Sequence, residues 1–238
     1  MKLLRWNSLA IILAGFAGTS ALAGPNAGGA LIIHTDDTIE YSAGMDYKTL
    51  SGRNCPDDFL NCPPEDLECS QQFSNPTSGK AIGETAVWWI LAAFDSTSCP
   101  RLSGITFGVE WDSPGTNIAI VDYGPCGDFQ VASDGWPDWI GTGVGMTWFS
   151  PRLTHLTEVY WFAGYAVYDA GQFRIAAHPT QGSDFGDDSI PSQLDPIPPE
   201  KRGYLGLGGE QGFNPIPGPT PVLDKSWGSL KHVFGNGE

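Results

Sequence analysis

The sequence predicts an all-β protein: an antiparallel β-sandwich of jelly-roll type, with a proline-rich C-terminal extension and a short C-terminal helix. Three observations carry this prediction. The 238 residues include 31 glycines and 19 prolines, which mark frequent turns rather than long helices. Short apolar segments recur between turn signals such as Asp112-Ser113-Pro114-Gly115, Tyr123-Gly124-Pro125 and Ser133-Asp134-Gly135. No helical periodicity alternates with these segments, so a parallel α/β sheet has no support.

Eight strands are predicted in order. Ala30 to Thr35 is short and β-branched. Ala86 to Phe94 is apolar throughout, as a strand covered on both faces must be. Leu102 to Trp111 alternates, with Ile105, Phe107, Val109 and Trp111 on one face and Thr106, Gly108 and Glu110 on the other. Asn117 to Tyr123 and Phe129 to Ala132 follow. Thr142 to Phe149 places Val144, Met146 and Trp148 on one face. Leu156 to Asp169 is apolar on both faces and so belongs centrally, with Gly164 marking a bulge or bend. A turn at Asp169-Ala170-Gly171 then leads into Gln172 to His178, which predicts a hairpin. Trp88, Trp89, Trp111, Trp148 and Trp161 fall in strands and fill the core.

The N-terminus sets the compartment. Lys2 and Arg5 precede an apolar run from Leu9 to Ala17, and Ala21-x-Ala23 fits a signal-peptidase site with cleavage after Ala23. The apolar run is shorter than the roughly 20 residues of a spanning helix. No later stretch is long and apolar enough to span. The chain is therefore expected to be secreted, extracellular or at the cell surface, with the periplasm as the alternative. The net charge is −15, from 12 basic and 27 acidic residues, and removal of Lys2 and Arg5 makes it more negative. That excess excludes nucleic acid and anionic membranes as partners.

The expected domain plan is a signal peptide (1–23), one sandwich domain (24–213), a proline-rich linker (214–221) and a helix or sorting tail (222–238). Within the domain, residues 36–80 read as an acidic, cysteine-bearing insertion, with one helical turn at Asp66 to Gln72. Cys55, Cys62, Cys69, Cys99 and Cys126 are disulfide candidates in an oxidising compartment. Five is odd, so at least one thiol is free or bonded outside the chain. In the tail, Leu223, Trp227, Leu230 and Phe234 share one helical face, a surface for docking on the domain or for recognition by secretion or attachment machinery.

Several blocks resemble a group of secreted, β-rich bacterial proteins known from environmental genomes. These blocks are Tyr123 to Phe129 (YGPCGDF), His155 to Tyr165 (HLTEVYWFAGY), His178 to Gly182 running on to Asp187 to Pro191, and Trp227 to Lys231 (WGSLK). The resemblance implies a signal peptide, a β-rich body and a Trp-Gly-containing C-terminal tail. It implies no activity, cofactor or catalytic residue.

No reaction is legible. There is no H-E-x-x-H zinc motif and no G-x-S-x-G nucleophile elbow. His155 and His178 would meet at one end of the predicted hairpin. Glu158 and Glu110, with Glu84, are the carboxylates on or beside strands that a glycoside hydrolase would use in a pair. Asp184, Asp187, Asp188 and Asp195 cluster in a Gly- and Pro-bearing loop suited to Ca²⁺. Trp136 and Trp139, beside Asp134 and Asp138, lie in a turn-rich loop where exposed rings would stack on a sugar face, the alternative being that one or both fold back to cap the sandwich edge. The reading is a non-catalytic binding or surface-associated structural protein, glycan-binding through that loop. An extracellular carbohydrate-active hydrolase is the alternative.

Overall fold

The computed structural model describes residues 23–53, 74–111 and 117–218. Its strands are β1 (Ala30–Thr35), β2 (Ala86–Ala93), β3 (Leu102–Trp111), β4 (Ile118–Pro125), β5 (Phe129–Ala132), β6 (Thr142–Arg152), β7 (Leu156–Ala166), β8 (Gly171–Ala176), β9 (Asp184–Gly186), β10 (Leu194–Pro196) and β11 (Tyr204–Leu207). A 3-10 turn at Pro199–Lys201 precedes β11. All eight predicted strands form, with β1, β3 and β5 at their predicted bounds. The short β9, β10 and β11 carry too few residues to show a period of two.

Two antiparallel sheets face each other. Sheet A has the order β1-β2-β7-β4, and sheet B the order β10-β9-β3-β6-β5. Beyond β9, the same edge of β3 takes β8, which in turn pairs with β11. The hairpin predicted at Asp169-Gly171 is corrected: β7 pairs with β2 and β4, whereas β8 pairs with β3 and β11. The turn carries the chain from one sheet to the other, which a period-two pattern cannot distinguish from a turn within a sheet. The irregularity foreseen at Gly164 sits on the neighbouring strand, between Ile120 and Asp122 of β4.

The core between the sheets joins Trp88, Ile90 and Phe162 of sheet A to Phe107, Val144, Phe173 and Phe185 of sheet B. All five strand tryptophans expected inside are buried. A second apolar cluster lies on the outer face of sheet A. There Ile32, Val87, Trp89, Leu91, Trp161 and Ala163 are covered by Tyr47, with Ile39 and Tyr41 packed alongside. Burial on both faces is why β2 reads as one apolar run. The early part of the acidic insertion is therefore a cover rather than a loose loop. Tyr47 is fully buried; its hydroxyl donates to Glu40 O (3.0 Å) and accepts from Ser42 N (2.6 Å), and its own carbonyl accepts from Trp89 Nε1 (2.9 Å).

The open edge of β1 is closed by side chains and returning backbone. Asn214 accepts from Ile33 N and donates to Ile33 O, both at 2.7 Å, so its amide imitates a neighbouring strand. Lys201 Nζ donates to Ile216 O (2.7 Å) and Gly218 O (2.8 Å), and Pro215 and Pro217 are buried. The start of the expected linker at 214–221 thus belongs to the body as far as Gly218. The signal segment to residue 22, Cys55, Cys62, Cys69, the turn at 66–72 and the tail at 222–238 lie outside the described residues. Among those described, no helix is long and apolar enough to cross a membrane.

Candidate functional site

The structure separates most of the candidate residues. Trp136 is buried at 7% exposure, with its ring edge-on to Phe107 and Tyr160 and its Nε1 donating to Tyr160 Oη at 3.0 Å. It plugs the sandwich and offers no free face, which corrects the expectation of an exposed Trp136/Trp139 pair. Burial also pushes the Tyr160 hydroxyl up to about 12. Trp139 packs partly against the core, while Asp134 and Asp138 are exposed. Asp138 Oδ1 accepts from Trp139 N at 2.7 Å.

Glu158 is 3% exposed on the outer face of sheet A, beneath the cover. Its two oxygens accept from Thr49 N (2.6 Å) and Ser51 N (3.0 Å). Thr49 sits at φ +67°, a left-handed conformation that β-branched residues avoid. The two bonds to the carboxylate hold that turn in place. Glu110 lies on the outer face of sheet B, in register with Arg174 of β8. The two glutamates face away from each other across the whole sandwich, whose sheets alone stand about 10 Å apart. Paired-carboxylate hydrolysis needs a separation of about 5–10 Å with room for substrate. The structure gives that alternative no support. Glu84 Oε2 accepts from Ala81 N at 2.9 Å, a local turn contact.

The histidines are also occupied, and their strands belong to different sheets. His155 Nε2 donates to Ser98 O at 3.0 Å. His178 Nδ1 accepts from Thr180 N and Gln181 N, both at 3.2 Å, and burial lowers its pKa. The four aspartates do not converge, and no group among the described residues is arranged to hold a metal ion. Asp195 accepts from Gly24 N and Asn26 N, and Asp188 pairs with both Arg101 Nε and Nη2. Asp187 Oδ1 accepts from Ser189 Oγ (2.6 Å) and Gln193 N (2.7 Å). The Ser189 bond to Asp187 and the Arg101 bond to Asp188 hold these two carboxyls below the usual range. Burial instead raises Asp184. The expected calcium cluster is corrected: Asp187, Asp188 and Asp195 are engaged apart from one another, and Asp184 lines a surface groove. Cys99 is disulfide-bonded. Cys126, by contrast, is a free buried thiol, raised well above its usual pKa by burial and then by the nearby Glu158 carboxylate. It is thus corrected from the disulfide set.

The outer face of sheet B has another character. Strand register sets two rows across it. Phe129, Thr147, Gly104, Gly186 and Leu194 form one row; Val131, Gly145, Thr106, Asp184 and Pro196 form the next. Small residues floor the middle, and large apolar ones stand at both sides. The result is an open groove of about 770 Å³. Phe129 (58% exposed), Val131 (61%) and Leu194 (63%) wall it, and Phe149 (86%) projects nearby from β6. Its charged lining is Asp184 and Asp187, without lysine or arginine. The sequence held a signal for this site in the solvent-facing sets Gly104/Thr106 of β3 and Gly145/Thr147 of β6, a strip too small to fill its own face.

No protein-family model matches the chain, and no curated protein matches it. Solved structures similar to it include a cohesin module of a family 33 glycoside hydrolase from Clostridium perfringens, with TM-score 0.42 and 5% identity over 60% of this chain and 93% of that chain. A type II cohesin domain from the cellulosome of Acetivibrio cellulolyticus gives TM-score 0.40 and 10% identity over 58% and 92%. The seventh ScaB type I cohesin from Pseudobacteroides cellulosolvens gives 0.39 and 8% over 64% and 94%. At these scores the likeness carries no statement about activity or partners.

Proposed function

We propose that this is a secreted, non-catalytic binding protein whose partner seats on the outer face of sheet B. The observation that carries the reading is the groove: apolar walls and a Gly/Thr floor, left open beside the 177–179 segment that crosses Gly108 and Gly143. A contiguous exposed apolar surface of this kind marks an interaction site. The partner is a protein presenting an apolar ridge with flanking lysine or arginine, since the groove's charges are carboxylates and the chain is strongly acidic. A glycan ligand is the weaker reading because Trp136 is not available for stacking. The tail at 222–238 is proposed as the attachment element; deletion of those residues should release the protein from its surface without weakening binding at the groove.

The test is a peptide-display selection on the folded chain beside a polysaccharide panel, with Gly145→Arg as the groove variant. A Cβ at Gly145 meets nothing closer than 3.7 Å, so the arginine fills the groove without forcing the backbone. Selected peptides should be apolar and basic and bind the variant at least about tenfold more weakly. Peptides that bind both forms equally would remove the groove as the site. Polysaccharide binding lost in the variant would replace the protein partner with a glycan.

A further inference from the structure

We infer that cleavage after Ala23 converts a half-buried backbone hydrogen bond into an ion pair, between the new α-ammonium of Gly24 and the buried carboxylate of Asp195. The inference rests on the export reading and adds a processing site with a structural consequence. Asp195, in β10, is 3% exposed. Its Oδ1 accepts from Gly24 N at 2.7 Å and its Oδ2 from Asn26 N at 3.0 Å. Among the described residues no lysine, arginine or histidine lies within ion-pair distance of it. A buried carboxylate without a cation is costly. The atom that approaches it most closely is the nitrogen of the predicted scissile bond.

The neighbourhood is built around that nitrogen. A Cβ on Gly24 would stand 2.3 Å from Asp195 Oδ2, so a side chain there displaces the carboxylate. Asn26 is fully buried and locks the segment to the sandwich: its Nδ2 donates to Arg101 O (3.2 Å) and its Oδ1 accepts from Arg101 N (2.9 Å). Gly29 N donates to Asn26 O, and Gly28 O accepts from Gly218 N at 2.8 Å. Ala23, on the other side of the bond, is exposed.

The chemistry balances as a hydrolysis. A peptidase of the export machinery adds water across the Ala23–Gly24 bond. Ala23 leaves with the leader as a carboxylate, and the Gly24 nitrogen keeps the chain and takes up a proton. With an ordinary α-amino pKa of about 8, it is charged at neutral pH. The hydrogen bond to Asp195 persists and gains a full positive charge.

The experiment has two arms, so that failure of export and failure of the ion pair are distinguishable. Intact-mass and N-terminal sequencing of the exported protein should give Gly24 with a free amine; a different first residue overturns the processing site. The second arm compares the chain starting at Gly24 with the same chain carrying one extra serine before it. The extension keeps the Gly24 N–H and removes only its charge. The extended form should melt lower by about 3–8 °C, the shift expected when a buried carboxylate loses a half-buried charge partner in a chain of this size. In Asp195→Asn, the same extension should change the melting temperature by less than about 2 °C, because the carboxylate is gone. An equal drop in both backgrounds, or none in either, overturns the ion pair.

Discussion

The two outer faces of the sandwich are made from the same kind of strand and end in opposite states. On sheet A, β1, β2 and β7 present large apolar side chains outward, and the 36–53 segment folds over them, fixed by Tyr47 and by Glu158. On sheet B, β3, β6 and β9 present glycine and threonine outward between apolar edges; residues 177–179 cross Gly108 and Gly143, and the stretch around Gly104, Thr106, Gly145 and Thr147 stays open. A face of Trp, Val and Leu must be buried by the chain itself, since exposure costs about 1.5–3 kcal/mol per large side chain. A face floored with small residues costs little to leave open and makes room for a partner. The difference separates the stabilising face from the proposed binding face, and each half can be broken on its own.

The largest effect is expected from loosening the cover. Glu158→Gln removes charge from two hydrogen bonds to backbone amides, those of Thr49 and the buried Ser51, and should destabilise by about 2–3 kcal/mol. It should also bring Cys126 into reach of a thiol reagent, at a rate at least about tenfold above the wild type, where the thiol is hidden and held protonated. Loss of stability without a change in thiol reactivity would show that Glu158 does not hold the cover closed.

A second test titrates the same face. His34 is buried on the outer side of β1, stacked on Trp89, and its Nδ1 accepts from Asn75 N at 3.0 Å. Burial, then the charge of Arg53, lowers its pKa from 6.5 to about 4. The folded value lies below the unfolded one, so the contribution is complete above pH 6.5 and is lost as pH falls toward 4. Unfolding free energy should drop by about 2 kcal/mol over that window, and His34→Gln should flatten that part of the profile.

A smaller effect belongs to the edge. Asn214→Ala leaves Ile33 N and O without their partner and should cost about 1–2 kcal/mol, read by chemical denaturation. The smallest belongs to the open face: Phe129→Ser with Val131→Ser should move stability by about 0.5 kcal/mol or less while weakening the display-selected peptides at least about fivefold. A large stability loss there would mean that the groove walls are part of the core.

This contrast also explains what the sequence disclosed. Strand identity was legible because Ile105, Phe107 and Val109 alternate with Thr106 and Gly108, and double-sided burial was legible in the apolar run of β2. Partners were not. The pattern in Gln172 to Ala176 is the same whether β8 follows β7 in one sheet or crosses to the other. Trp136 in a polar loop resembles an exposed ring until its contacts with Tyr160 and Phe107 are seen. Asp187, Asp188 and Asp195 are close in the chain, yet their carboxylates are engaged by different neighbours, and Asp184 lines the groove instead. The groove was hidden for a further reason: its defining residues are small, and smallness carries meaning only once strand register sets them side by side.

The most direct measurement is an amide chemical-shift titration of the isotopically labelled chain starting at Gly24 with a selected apolar-basic peptide. The account predicts saturable shifts confined to residues 103–106, 129–131, 145–147 and 184–194, absent in Gly145→Arg. Shifts concentrated in residues 36–53, or in the cleft lined by Glu110, Arg174 and Tyr204 at the other end of sheet B, would contradict it.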